Sequence, residues 1–215
     1  MNENNNVISS GSRARAPAGR TPEVALIVKK MAKPAIFLAA LTPFLYLLWA
    51  LFTGGLGPNP IDSLTNQTGT LAIRMLLISL ALTPLRYLLK QTWPLRYRRM
   101  LGLFAFFYAS LHVSVYLVLD QQLSLHFILE DLFKRPYILA GTCAFLLLLP
   151  LAMTSTRRMV KRLGRRWLLL HRGVYLASTA AVVHYVWLAK GDLIEPFIYL
   201  AILMVLFSYR LVKAL

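Results

Sequence analysis

The stretch Trp167–Lys190, WLLLHRGVYLASTAAVVHYVWLAK, decides how this chain is read. It is long enough to cross a bilayer as a helix, because about 20 apolar residues span the hydrocarbon core. It also carries two imidazoles, His171 and His184. An ionisable side chain at membrane depth is expensive and faces protein, water or a cofactor. A second apolar stretch, Met100–Leu119, carries a third imidazole, His112. Imidazole is a common axial ligand of heme iron. The pattern therefore points to membrane helices that hold a b-type heme.

The composition supports a membrane protein. Of the 215 residues, 58% are hydrophobic and 15% are charged. The mean hydropathy is +0.59. These values are too apolar for an ordinary soluble domain. The net charge of +16 would suggest nucleic acid in a soluble chain. Here the bases form short clusters between apolar runs, which marks topology and a headgroup-facing surface, not a nucleic-acid partner. The single cysteine, Cys143, excludes an intrachain disulfide and a multi-cysteine metal or iron–sulfur site. Its place in an apolar run reads as a small packing residue.

Residues 1–33 form a polar and then basic N-terminal arm, and 34–215 the transmembrane domain. Met1–Arg20 has the composition of a disordered segment. It lacks the apolar core and cleavage site of a signal peptide. Thr21-Pro22-Glu23 suits the start of a short helix, and Val24–Lys33 a basic segment at the membrane surface. Six apolar stretches follow: Pro34–Phe52, Thr70–Leu89, Met100–Leu119, Tyr137–Met153, Trp167–Ala189 and Ile194–Val212. The expected fold is an all-α bundle of six transmembrane helices. Pro43, Pro84 and Pro150 lie in or near helix ends, where local kinks are expected. Bases gather in the N-terminal arm, at Arg86–Arg99, at Arg157–Arg166, and at Arg210 and Lys213. Most acids fall in the alternate loops, at Asp62, at Asp120, Glu130 and Asp131, and at Asp192 and Glu195. By the positive-inside rule both termini are cytoplasmic. The outer segment Asp120–Arg135 is a candidate amphipathic helix, and Gly164 a helix C-cap. No sequence repeat is evident.

With odd-numbered helices running outward, His112 lies roughly 18 Å from the inner end of its helix and His184 roughly 26 Å. Tilt and boundary error cover that difference, so the two can meet across one heme. Ala105 and Ala109 precede His112 at the same offsets as Ala177 and Ala181 precede His184. Small residues there leave room for a flat macrocycle or simply promote helix contact; a histidine at the head of both rows favours the first. Arg74, near the outer end of the second helix, suits a heme propionate or snorkels to the interface. His171 lies near the cytoplasmic face. In a straight helix it falls roughly 140° away from His184. Its partner position on the third helix is Arg99, beside Arg98, and neither is a usual iron ligand. His171 either ligates an inner heme or contacts a propionate or flavin phosphate. His126 reads as a surface histidine.

These motifs resemble the MsrQ family (formerly YedZ), the heme-binding membrane subunits of bacterial protein-methionine-sulfoxide reductase systems. The family lies within the wider ferric reductase-like transmembrane group. The similarity rests on LTPFLYLLWA, GGLGPNP, Thr68-Gly69, LTPLR, RRMLGLFAFFYASLHVSVY, RPYILAG, TSTRRMVKRLGRRWLLLHRGVY and HYVW. The resemblance implies an inner-membrane electron conduit. Electrons would pass from a cytosolic flavin reductase or reduced flavin, through b heme, to a periplasmic molybdopterin-containing catalytic subunit that repairs oxidised proteins. It implies one or two hemes and an FMN site, and it puts His112, His171 and His184 at the family's histidine positions. The wider group carries two histidines on each of its third and fifth helices; the inner position on the third is Arg98 or Arg99 here.

No Gly-rich dinucleotide fingerprint occurs, and no soluble stretch is long enough for a nucleotide-binding domain. No Ser–His–Asp or carboxylate cluster suggests hydrolysis. The chain reads as a relay whose catalytic partner is separate. A proton-coupled transporter would place acids at membrane depth, and none lies inside a predicted helix core. A passive membrane anchor with structural histidines is the remaining alternative.

Overall fold

The computed structural model of the protein describes residues 22–189, 191 and 193–214. The expected disorder of Met1–Arg20, the Thr21 cap and the loop acid Asp192 lie outside these residues. Among the described residues all regular structure is helical. The helices are α1 Pro22–Thr53, α2 Pro60–Leu88, α3 Leu95–Ser114, α4 Leu125–Lys134, α5 Pro136–Met153, α6 Arg157–Leu163, α7 Arg165–His171, α8 Gly173–Leu188 and α9 Ile194–Ala214. A π-helical turn, Val115–Asp120, continues α3. The described bundle is the unit Phe37–Leu215. The protein is an all-α multi-pass membrane protein.

Among the described residues five helical segments are long and apolar enough to cross a bilayer: Met31–Thr53, Pro60–Leu88, Leu95–Asp120, Pro136–Met153 and Ile194–Lys213. The remaining expected stretch, Trp167–Ala189, differs, because it breaks at Arg172 into α7 and α8. The Arg172 N–H reaches the carbonyls of both Leu168 and Leu169, and the Tyr175 N–H bonds the Arg172 carbonyl in a tight three-residue step. Gly173, a poor helix former, sits at the break. The straight-helix premise behind the offset of His171 from His184 therefore fails.

Two boundaries also moved. The basic segment and the first apolar stretch form one helix, α1. Helix α2 starts about a turn after Gly57, at Pro60, so Pro60–Gly69 is helical ahead of the expected start at Thr70. Its entry is closed by Gly54 and Gly57, both at positive φ, and by the Ser63 hydroxyl donating to the Leu56 carbonyl at 2.8 Å. Arg74 is therefore midway along α2. Gly164 ends α6 at φ +50, as expected of a C-cap.

Two hairpins make the centre, α2 against α3 and α5 against α8, with α9 packed on α2 and α8. Ile73, Leu77, Leu80, Val182, Tyr199, Leu203 and Leu206 form one buried cluster. A smaller one joins the hairpins through Leu76, Ala105, Leu148 and Ala177. Pro84 removes the N–H that would bond the Leu80 carbonyl. Arg210 of α9 supplies the missing donor, with Nη2 at 3.0 Å from that carbonyl and 3.2 Å from Thr83 Oγ1. Its Nη1 bonds the Tyr175 hydroxyl. Arg210, expected to mark the cytoplasmic surface, is thus a strut between α9, α2 and α8.

The expected amphipathic segment is α4. Asp131 anchors it, accepting from the Tyr116 hydroxyl at 3.2 Å and Gln121 Nε2 at 3.0 Å and pairing with Arg135 at 3.2 Å. Leu125, Leu129 and Phe133 on its other face are exposed. Cys143 corrects another expectation. It is exposed on α5 and is not part of the buried core among the described residues.

Candidate functional site

His112 stands in the last turn of α3 and His184 in α8, and the structure brings their imidazoles together. Their ring centres are 6.1 Å apart and their planes are inclined by 73°. The protonation state follows from the partners. His112 Nδ1 lies 2.9 Å from the Thr65 carbonyl, and His184 Nδ1 lies 2.6 Å from the Tyr137 carbonyl. A carbonyl only accepts, so both Nδ1 atoms carry the proton. In the neutral ring the lone pair then sits on Nε2. Two neutral imidazoles donating through Nε2 are the axial set that heme iron takes. With ring centres 6.1 Å apart, the two imidazoles would offer a heme iron one donor each. The pair thus fits b heme. A backbone carbonyl behind a ligating histidine fixes its tautomer and raises its basicity.

The two halves of the site follow one plan. In each, 47 residues separate the carbonyl from the histidine. In each, a glycine lies four residues after that carbonyl, Gly69 or Gly141, with its Cα against the imidazole. Every element of the second half is 72 residues beyond its counterpart: Thr65 and Tyr137, Gly69 and Gly141, Ala105 and Ala177, Ala109 and Ala181, His112 and His184. Leu76 and Leu148 of the central cluster keep the same offset. The absence of a repeat is thereby corrected. The repeat lives in a few contact positions, and most other positions differ in side chain. Ala105 and Ala177 are fully buried in that cluster, so both serve close helix packing, and no space is left open there.

At the basic end of the bundle His171 lines a cavity of about 480 Å³. Its Nδ1 lies 3.1 Å from the Trp167 carbonyl, and the Trp167 ring stacks on it at 3.8 Å. Its Nε2 is buried and has no hydrogen-bond partner among the described residues. The same tautomer logic leaves that lone pair free. Arg98, Arg99 and Arg172 line the same cavity, so the expected partner position shares it with His171. The cavity offers one imidazole donor and three guanidinium groups, a setting for an anionic planar group.

Arg74 lies at a second cavity, of about 690 Å³, at the opposite end. Its Nε donates to the Tyr199 hydroxyl at 2.6 Å and its Nη2 pairs with Glu195 at 3.0 Å. Its structural partners are therefore on α9. His126 is exposed on α4, 3.8 Å from Glu130, as a surface histidine. Sequence reasoning missed the two carbonyls, the two glycines and Arg210. Thr68-Gly69 and RPYILAG were visible as motifs, but nothing in their wording says that a histidine rests on them.

The family model described as ferric reductase like transmembrane component matches residues 68–182. The protein-methionine-sulfoxide reductase heme-binding subunit MsrQ of Rhodospirillum rubrum is 50% identical over 189 residues, covering 86% of this chain and 89% of the relative. The subunit of the same name from Xanthomonas euvesicatoria is 46% identical over 190 residues, covering 86% and 87%. That from Herminiimonas arsenicoxydans is 45% identical over 192 residues, covering 88% and 86%. No solved structure matches the chain.

Proposed function

The chain belongs to the MsrQ family of protein-methionine-sulfoxide reductase heme-binding subunits, within the ferric reductase-like transmembrane components, and on that premise we propose that it relays electrons through b heme across a bacterial inner membrane. The observation that carries the proposal is the facing pair His112 and His184, each with its Nδ1 proton committed to a backbone carbonyl.

Bound b heme supplies a one-electron carrier at membrane depth. The chain supplies the rest. His112 from α3 and His184 from α8 would hold the heme iron. The Thr65 and Tyr137 carbonyls keep both rings in the ligating tautomer, so no proton has to leave when iron binds. In this reading Arg74 offers its guanidinium to a propionate at the outer cavity, in exchange with Glu195. His171 serves electron entry at the basic end, either as ligand of a second heme or against FMN, whose phosphate the guanidinium groups of Arg98, Arg99 and Arg172 would accept. The number of hemes, one or two, turns on His171.

Orientation gives the relay its direction. The clustered bases support a reading with both termini in the cytoplasm. Electrons then enter from a cytosolic flavin reductase or reduced flavin. They leave at the Arg74 end to a periplasmic molybdopterin-containing methionine sulfoxide reductase. Family membership supports the reductase partner; the flavin donor rests on the resemblance alone.

The test is heme-to-protein stoichiometry of the purified chain, with reduced-minus-oxidised spectra of three variants. His112→Ala and His184→Ala should each abolish the low-spin signal, and His171→Ala should remove only a second heme, if one is bound. Unchanged heme content and spectra in both His112→Ala and His184→Ala would refute the proposal.

A further inference from the structure

Each imidazole of the facing pair rests on a helix position that has no side chain. A Cβ placed on Gly69 would lie 3.0 Å from His112 Nδ1 and 3.1 Å from its Cε1. A Cβ on Gly141 would lie 2.9 Å from His184 Nδ1, 3.0 Å from Cε1 and 3.1 Å from Cγ. Relaxed contacts between such atoms are about 3.5–4.0 Å. In both cases the nearest atoms that the added carbon meets belong to the histidine alone. Glycine inside a helix costs about 1 kcal/mol relative to alanine, so two of them on one plan call for a reason. Generic helix contact is not that reason, because the space is taken by an imidazole and not by a neighbouring backbone.

The hydrogen bonds say what the space is for. The carbonyl that each ring binds is four residues before the glycine, Thr65 before Gly69 and Tyr137 before Gly141. In a helix that carbonyl also receives the N–H of the residue four positions later, here the glycine itself. The imidazole must slide along the helix groove, past the α-carbon of that residue, to reach the same oxygen. A methyl group there blocks the approach and turns Nδ1 away from the carbonyl.

We infer that Gly69 and Gly141 are a matched pair of positioning residues, one in each half of the 72-residue repeat, that admit the imidazoles of His112 and His184 to the Thr65 and Tyr137 carbonyls and so aim both Nε2 atoms at one point. Neither glycine touches the ligated group. The consequence for heme rests on the heme reading above; the packing does not.

Two double-mutant cycles in detergent test this, Gly69→Ala with His112→Ala and Gly141→Ala with His184→Ala, read by thermal unfolding. Gly→Ala should lower the unfolding midpoint while the histidine is present. It should leave it unchanged or raise it once the histidine is alanine, because the clash is gone and helix propensity remains. Gly141→Ala should have the larger effect, since its contacts are closer. Single glycine variants should also lose the low-spin EPR signature of two neutral imidazoles or shift the heme midpoint potential. Gly173→Ala is the control, because its Cβ would meet only Leu151 Cδ1 at 3.7 Å. A glycine variant that does not accumulate should be rescued by removing the matching histidine; failure of that rescue overturns the proposal. So does an equal Gly→Ala cost in both backgrounds, or a spectrum and potential unchanged in both glycine variants. If the heme reading alone is wrong, the stability cycles still show the coupling.

Discussion

Replacing Arg210 with methionine removes a strut without removing its stem. The guanidinium gives Nη2 bonds to the Leu80 carbonyl and Thr83 Oγ1, an Nη1 bond to Tyr175, and a face-on contact with the Tyr175 ring at 4.8 Å. Hydrogen bonds to a charged donor contribute about 1.5–3 kcal/mol each, and the cation–π contact about 0.5–2 kcal/mol. These terms share one side chain and do not add, so the expected cost is about 3 kcal/mol. About 1–2 kcal/mol of that comes from a single atom, the Leu80 oxygen, which Pro84 has deprived of its helical donor. Pro84→Ala restores a backbone N–H four residues on. Arg210→Met should therefore cost about 1–2 kcal/mol less in the Pro84→Ala background. The assay is a double-mutant cycle by equilibrium unfolding in detergent, followed by far-UV circular dichroism. An equal cost in the two backgrounds, within about 0.5 kcal/mol, would refute the assignment of Arg210 to the orphaned carbonyl.

Asp131→Asn should cost about 1–3 kcal/mol, because one buried carboxylate serves Tyr116, Gln121 and Arg135; hydrogen exchange over residues 121–135 should accelerate while that of α3 does not. The Lys134 ammonium beside Glu130 holds its carboxyl below the usual range. That contribution is complete above the ordinary glutamate value of about 4.3 and is lost as pH falls through the lowered value, so α4 should fray on acidification before the bundle opens, and Glu130→Gln should reduce that pH dependence. Arg74→Gln should lower the heme midpoint potential and Glu195→Gln raise it, since a nearby positive charge favours the reduced state and the two side chains form one ion pair; shifts of the same sign in a redox titration would refute the placement of that pair beside the electron path.

The membrane class, the helical bundle and the three histidines were legible because each depends on composition or on short-range pattern. A run of about 20 apolar residues has few alternatives to a helix in lipid, and a histidine inside such a run is visible by itself. The pairing of His112 with His184 followed from their similar depth. The resemblance also reached the right family. What failed depended on neighbours. The facing argument for His171 assumed a straight helix, and the Arg172–Gly173 break was hidden inside an apolar run. Arg210 looked like one more base at a cytoplasmic end, because its partner is a carbonyl freed by a proline 126 positions earlier. Cys143 looked like a packing residue, because an apolar run does not tell which of its faces meets the bundle.

The sequence by itself determined that the chain is a membrane helical bundle with imidazoles at depth, since hydropathy and residue type act locally and need no partner. Only the tertiary structure decided what holds those imidazoles. Gly69 and Gly141 are ordinary small residues until a ring is laid across each, and the Thr65 and Tyr137 carbonyls have no side-chain identity to read. The 72-residue repeat escaped for the same reason. It is preserved in backbone oxygens, missing side chains and contact positions, where the physics depends on shape and direction and leaves most of the letters free to differ.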